Sequence, residues 1–403
     1  MSLPLFNPFD PQYVADPHAY YARLRQTVPV QQAVLLDGQT VWLLTRYDDV
    51  EAVFSDPRMV KDPRNACSPE QLARMPVRPQ STRYARTNML SRDAPDHTRL
   101  RRLVSKAFTP RMVEQLRPRV QAIADALLDA VAGRGEMNVI DEYAFPLPIT
   151  VIAEMLGVPV ADRDQFREWS DAILTAIPPQ PATPAAVAAL EGLAQYLEGR
   201  FEERRRMPTE DLITGLVQAE EAGDKLSKDE LQGMAYVLLV AGYETTANLI
   251  GSGVLALLQH PDQLAKLRAD PTLMPSAVEE LLRFTSPVKT STLRFAAADV
   301  SVGDVVIPKG EMVLVIITAA NRDPARFPSP DTLDITRPDN KHLAFGHGVH
   351  YCLGAPLARL EGEIAFGTLL RRLPDLRLGI ASEALTWRPS FGVRGLEKLP
   401  VRF

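Results

Sequence analysis

Cysteine is scarce in this chain. Only Cys67 and Cys352 occur among 403 residues, which excludes a disulfide framework and points to a reducing compartment, so each thiol is judged alone. Long apolar runs are also missing. Nowhere do about 18 residues pass without polar interruption, and the opening MSLPLFNPFDPQYV has no basic stretch leading into an apolar one. The chain therefore reads as cytoplasmic, with no membrane anchor. Basic charge is not in excess: the net charge is −5 at pH 7, which argues against a nucleic-acid partner. No internal repeat, heptad period or linker-like shift of composition is present. With 46% hydrophobic and 24% charged residues, neither disorder nor a fibre is indicated. Proline, by contrast, is plentiful at 34 residues, so many short, stiff connections are expected.

Pro29 to Val53 reads as a β-hairpin and a short helix, with Asp37-Gly38 suited to a type I′ turn. Residues 56 to 95, rich in Pro, Arg and Ser, read as a long loop of the kind that often lines a functional site. Helical periodicity dominates from His97 to Leu267, broken by Pro178, Pro179, Pro181 and Pro184. From Thr290 strand-like pieces follow (TLRFA, VSV, VVI, MVLVII), then a helix over about Ala355 to Arg371 and a strand in LPVRF. The expected architecture is mainly α with a smaller β-rich lobe, in a single domain over residues 1–403.

Chemistry concentrates near the C-terminal end. His342, His347 and His350 crowd ahead of Cys352 in HLAFGHGVHYCLGAPLAR, together with Gly346, Gly348 and Gly354. A thiolate ligand needs backbone N–H groups aimed at its sulfur, and glycines permit that approach. A helix opening near Ala355 would add a positive dipole end and lower the thiol pKa. On these residues alone, a turn holding a structural Cys is a rival reading. So is a zinc site, although no second Cys or His pair is spaced to complete one.

Phe345-Gly346-x-Gly348-x-His350-x-Cys352-x-Gly354 resembles the haem-binding loop of cytochromes P450. The resemblance extends over about residues 16–403 and is closest to soluble bacterial members that oxidise macrolides, steroids and related natural products. It implies the cytochrome P450 fold and haem b, with Cys352 as the iron ligand and Phe345, Gly346 and Gly354 shaping its loop.

A second signature lies between Ser227 and Gln259. Ser227 and Glu230 form a capping box and Pro261 follows the end, which bounds a helix roughly 50 Å long. MAYVLLVAG and ANLIGSGVLALL are apolar around most of the circumference, so burial is expected. Yet Ala241-Gly242-Tyr243-Glu244-Thr245-Thr246 sits mid-helix, where Gly costs about 1 kcal/mol and an unpaired carboxylate more. Thr245 bonding back one turn and Glu244 in a core ion pair would account for these residues structurally. The resemblance implies instead a kink at Gly242 that leaves a groove for O2. Thr245 would then hydrogen-bond the oxygen under activation or its water, and Glu244 would relay protons.

Glu280-Leu281-Leu282-Arg283 places opposite charges three apart on a helix, ordinarily a surface pair. Here it lies 72 residues before Cys352 and precedes Asn321-Arg322-Asp323-Pro324 and Asp334-Ile335-Thr336-Arg337, in the order of the P450 family. The resemblance makes Glu280, Arg283 and Arg337 a buried structural triad. It likewise makes His97, Arg101, Arg294 and His350 partners of the two haem propionates, which call for cationic hydrogen-bond donors.

The implied activity is monooxygenation. One atom of O2 enters a C–H bond and the other leaves as water, with electrons from NAD(P)H through a ferredoxin and a ferredoxin reductase. HTRLRRLVSKAFTPR, residues 97–111, carries five Lys or Arg and no acid and is the expected docking helix for an acidic ferredoxin. A peroxide-driven relative, a haem-binding sensor and a zinc enzyme are the rivals. The expected substrate is a lipophilic macrolide or polyketide, steroid or terpenoid, and the expected pocket residues are Arg86, Leu90, Val237, Leu238, Ala241, Val288, Lys289, Ser291 and Phe391. Residues 61–92 carry seven Lys or Arg against Asp62 and Glu70. Arg86 and Lys289 would anchor an acidic substrate, unless these cations merely solvate a loop.

Overall fold

The computed structural model describes residues 3–75, 87–174, 183–221 and 226–403. Seven of its helices position the site: Asp96–Ala107 (α1), Pro146–Met155 (α2), Arg163–Leu174 (α3), Pro184–Arg206 (α4), Lys228–Gln259 (α5), Met274–Thr285 (α6) and Ala355–Arg372 (α7). Pro184 opens α4, where a missing N–H costs nothing; Pro178, Pro179 and Pro181 lie outside the described residues. The expected capping box opens α5. Ser227 Oγ accepts from Glu230 N at 3.2 Å, and Ser227 N donates to the Glu230 carboxylate at 2.7 Å.

α5 is the shared wall of two apolar cores. Its first half, with Leu231, Met234, Val237 and Leu239, packs with Ile149 and Ile152 of α2 and with residues of α3 and α4. Its second half, with Leu249, Ile250 and Val254, packs with Leu281 of α6 and Phe366 of α7. Burying each such side chain contributes about 1.5–3 kcal/mol, so the helix is held from both ends. The Ala241 to Thr246 motif falls at the junction.

The β-rich lobe draws on distant parts of the chain. Val30–Val34 (β1), Thr40–Leu44 (β2), Met59–Val60 (β3), Arg294–Ala296 (β4) and Met312–Val315 (β5) form one sheet in the order β1-β2-β5-β4-β3. β2 and β5 pair in parallel, Trp42 opposite Val313, and the other pairs are antiparallel. The β1–β2 hairpin forms as expected, but its turn is not type I′. Of Asp37 and Gly38 only Gly38 has positive φ, 83°, whereas type I′ needs both; the loop closes through Leu35 N to Gln39 O at 2.8 Å. The expected long loop over 56–95 is also corrected. β3 recruits part of it into the sheet, and a Ser68/Gln71 capping box stabilises a short helix, Pro69–Arg74.

Glu280 and Arg283 of α6 are completely buried. Arg283 Nε and Nη2 donate to the two Glu280 oxygens, both at 2.8 Å. Arg283 also donates to the Asn321 and Pro330 carbonyls, while Glu280 accepts from Asp334 N, Asn340 Nδ2 and Arg337 Nε. The three residues of the expected triad thus meet, and they fasten residues 321–340. Arg283→Met would strand a fully buried carboxylate and should cost about 3–5 kcal/mol in urea denaturation. A cost below about 1 kcal/mol would show that the pair does not hold this segment.

Candidate active site

The Cys352 loop is tied at several points. Cys352 N donates to Phe345 O at 2.9 Å, and Gly346 N to Leu343 O at 2.9 Å. Gly348 has φ of 73°, and a Cβ there would lie 2.7 Å from the Phe54 carbonyl oxygen, so only glycine fits. α7 begins at Ala355, as expected. The N–H groups of Gly354 and Ala355 reach the Cys352 sulfur and favour its thiolate. Burial nevertheless outweighs them and raises the thiol pKa, which corrects the expectation of a net lowering. Cys352 is solvent-accessible, but protein crowds it closely enough for desolvation to dominate.

Arg359 buttresses this loop from α7. Its guanidinium lies 4.6 Å from the Phe345 ring centre and donates to both oxygens of Glu279 on α6, at 2.7 and 2.9 Å. Burial alone would raise the Glu279 carboxyl, yet His342 and Arg359 hold it down at about 2. The three histidines of the loop diverge. His342 turns to Glu279, His347 is exposed, and His350 packs on His97. Among the described residues no group of three or more His, Cys, Asp or Glu is arranged to hold a metal ion.

A cationic cluster gathers at His350. Its ring centre is 4.1 Å from that of His97. Its pKa is pushed down to about 2 by burial and then by Lys61, His97, Arg294 and Arg101. Arg101 Nη1 donates to Val349 O at 3.1 Å, and Arg294 Nη1 to Met59 O at 3.1 Å. Burial lowers Arg294 to about 10, with Asp93 opposing. His97 Nε2, His350 Nδ1 and Arg294 Nε are buried without a hydrogen-bond partner among the described residues. Lys61 was not foreseen as a member. Its ammonium is buried and donates to Thr292 and Leu293, and the only sequence signal was membership of a basic run.

On α5 the helix runs unbroken through Gly242. A Cβ at Gly242 would sit 3.2 Å from two carbons of Ile152, so glycine here permits a close crossing with α2. Thr245 Oγ1 donates to Ala241 O at 3.1 Å, and the buried Glu244 lies 3.9 Å from Arg388. Ala241 is exposed although buried residues flank the motif on both sides, so solvent reaches the middle of α5. Fully buried Glu361 of α7 faces Thr246 across the helix interface. Nothing in the sequence distinguished it from other helical acids.

The expected pocket residues separate into groups. Leu90, Val237 and Leu238 join the helical core beside Ala241. Val288, Ser291 and Phe391 belong to the β-rich side, where Val288 bridges to Val393 and Phe391 packs edge-on against Phe6. Lys289 is corrected as a substrate anchor. Its buried ammonium donates to Ser390 O and lies 5.1 Å from the Tyr13 ring centre. Arg64 and Arg92 are spent on Asp62, so the basic run is partly neutralised, and Arg86 lies outside the described residues.

A family model for cytochrome P450 matches residues 11–374. The chain belongs to the cytochrome P450 family. Cytochrome P450 107B1 of Saccharopolyspora erythraea is 51% identical over 98% of this chain and 96% of its own. Vitamin D(3) 25-hydroxylase of Pseudonocardia autotrophica is 47% identical over 98% and 95%. The structure of the bacillaene polyketide synthase cytochrome P450 PksS from Bacillus subtilis superposes with a TM-score of 0.92 at 42% identity, covering 99% of both chains. This P450 is accordingly a monooxygenase with the P450 fold, and the family uses haem iron and O2. No helix among its described residues is long and apolar enough to cross a membrane.

The residues present fit a haem. Among the described residues, buried nitrogens of His97, Arg294 and His350 without partners stand in a cluster that Asp93 opposes, as two carboxylates would require. Backbone N–H groups aimed at the Cys352 sulfur suit a thiolate. Apart from that site, burial raises the Glu361 carboxyl to about 8, with Thr246 opposing. A folded-state pKa above the unfolded value gives stability that is full below about 4.5 and is lost as pH rises through about 8. Parent and Glu361→Gln should therefore unfold alike near pH 4.5. By pH 8 to 9 the variant should be the more stable, by about 2–4 kcal/mol. Parallel stability–pH curves from chemical denaturation would contradict this.

Proposed function

We propose that this P450 oxidises a C–H bond of a lipophilic small molecule of macrolide or polyketide, steroid or terpenoid type. Electrons would come from NAD(P)H through a ferredoxin and its reductase, in the cytoplasm. The observation that carries the reading is the pairing of the Cys352 sulfur, approached by two N–H groups, with the gathering of Lys61, Arg101 and Arg294 around His350. Relatives support the substrate class by their names: one is a vitamin D(3) 25-hydroxylase and another a polyketide synthase P450.

In this reading Cys352 binds the haem iron, and His97, Arg101, Arg294 and His350 hold the propionates. Bound haem supplies O2 activation and the oxidising power for C–H insertion, its thiolate ligand donating electron density. The chain's own groups set the rest. Leu90, Val237, Leu238 and Ala241 offer apolar surface that binds substrate and excludes water. Thr245, one turn from Ala241 O, exchanges that bond for one to the reacting oxygen or its water. Glu244 carries protons inward from its buried place in the middle of α5, where the helix has no other acid beyond its first turn. The basic face of α1 steers an acidic ferredoxin by charge, an attraction that salt screens.

Cys352→Ser should abolish the red-shifted carbon monoxide band of the reduced protein while Cys67→Ser keeps it. A retained band in Cys352→Ser would remove the ligand assignment. Thr245→Ala should still consume NAD(P)H but release several-fold more hydrogen peroxide per product. Coupling equal to the parent would refute the role of Thr245. Vitamin D3 and a macrolactone, titrated separately, should shift the haem absorption spectrum; a shift from neither, alongside a shift from a fatty acid, would overturn the substrate class.

A further inference from the structure

We infer that Arg388, reaching in from the C-terminal turn, is a positioning residue that holds Glu244 and links it to solvent; this rests on the proton-relay reading of Glu244. Arg388 Nη1 lies 3.9 Å from Glu244 Oε1, and Arg388 Nη2 donates to Asn248 Oδ1 at 2.7 Å. Glu244 and Asn248 are four residues apart on α5, so one guanidinium spans two successive positions of one helix face. The Arg388 backbone is itself fixed, its N–H donating to Gly395 O at 2.9 Å. Gly395 makes the contact possible, because a Cβ there would overlap Asn248 Oδ1 and lie 2.9 Å from Arg388 Nη2.

Two further features make this face a route and not only a brace. The Arg388 side chain is 35% exposed while that of Glu244 is 10% exposed, so the guanidinium bridges solvent and the interior. Next along the same face, Asn248 Nδ2 and Ser252 Oγ are buried without a hydrogen-bond partner among the described residues. Buried polar atoms are ordinarily satisfied, and ordered water does so where protein does not. A polar stripe of Glu244, Asn248 and Ser252 thus runs along an otherwise apolar helix, and Arg388 stands at its outer side. A guanidinium stays protonated, so it cannot pass the proton itself. Its part is to keep the carboxylate turned toward this wall, where water can protonate it, until the carboxyl rotates inward.

The test uses the haem-loaded enzyme with a surrogate ferredoxin and reductase. Parent, Arg388→Gln, Arg388→Lys, Glu244→Gln and the Glu244→Gln/Arg388→Gln double variant are compared for NAD(P)H oxidation in H2O and D2O. Arg388→Gln should slow oxidation about fivefold and raise the solvent isotope effect. Arg388→Lys should recover most of that loss, and the double variant should be no slower than Glu244→Gln. Gly395→Ala, which displaces the contact without changing charge, should reproduce part of the effect. The same four-protein cycle in thermal unfolding, with no electron donor, should give a non-zero coupling between the two side chains. Losses that multiply in the double variant, or an Arg388→Gln enzyme as fast as the parent while Glu244→Gln is slow, would overturn the inference alone. A Glu244→Gln enzyme that matches the parent would instead overturn the relay reading and this inference with it.

Discussion

The Glu280–Arg283 pair sits where no water reaches, and its hydrogen bonds run mostly to main chain. Residues 321–345 contain no long regular element, so their backbone groups lack the ladder partners that helices and sheets provide. The ion pair supplies some of those partners. It anchors the carbonyls of 321 and 330, the backbone N–H of 334 and the side-chain amide of Asn340, immediately upstream of the Cys352 loop. Breaking a buried pair from one side is far more costly than never having built it. This explains how an irregular stretch can present a ligand loop with fixed geometry.

Opposite it, charge is left unbalanced. Lys61, Arg101 and Arg294 crowd the His97 and His350 rings and oppose their protonation, with Asp93 as the opposing acid. Such a cluster opposes folding unless an anion joins it. Under the proposed haem assignment, the cofactor's carboxylates would contribute to the stability of the polypeptide as well as to its chemistry.

How much of this was legible in sequence depends on the range of the interactions. The α5 boundaries, the capping box and the strands after Thr290 follow from local periodicity and cap chemistry, and these were readable. The Cys352 loop and the Glu280 triad were readable because their spacing resembles a known family. The turn at Asp37-Gly38 was misread because the same dipeptide serves a three-residue loop when only the glycine adopts positive φ. Gly242 was assigned to a kink, whereas its neighbour is Ile152, ninety positions earlier. Lys289, Arg388 and Glu361 share this difficulty. What each does is decided by a partner on another element, and composition carries no trace of it.

The parallel pairing of β2 with β5 sets an order on how the protein is made. The edge of β2 that faces away from β1 has no partner strand until Val313 has been synthesised, and the Cys352 loop follows later still. Non-local pairings of this kind fold slowly and leave edges open in the interim. The N-terminal hairpin must therefore wait on the ribosome with one edge unpaired. Capture of the cofactor becomes one of the last events of biosynthesis, when the sheet, the α6 ion pair and the ligand loop are all available at once.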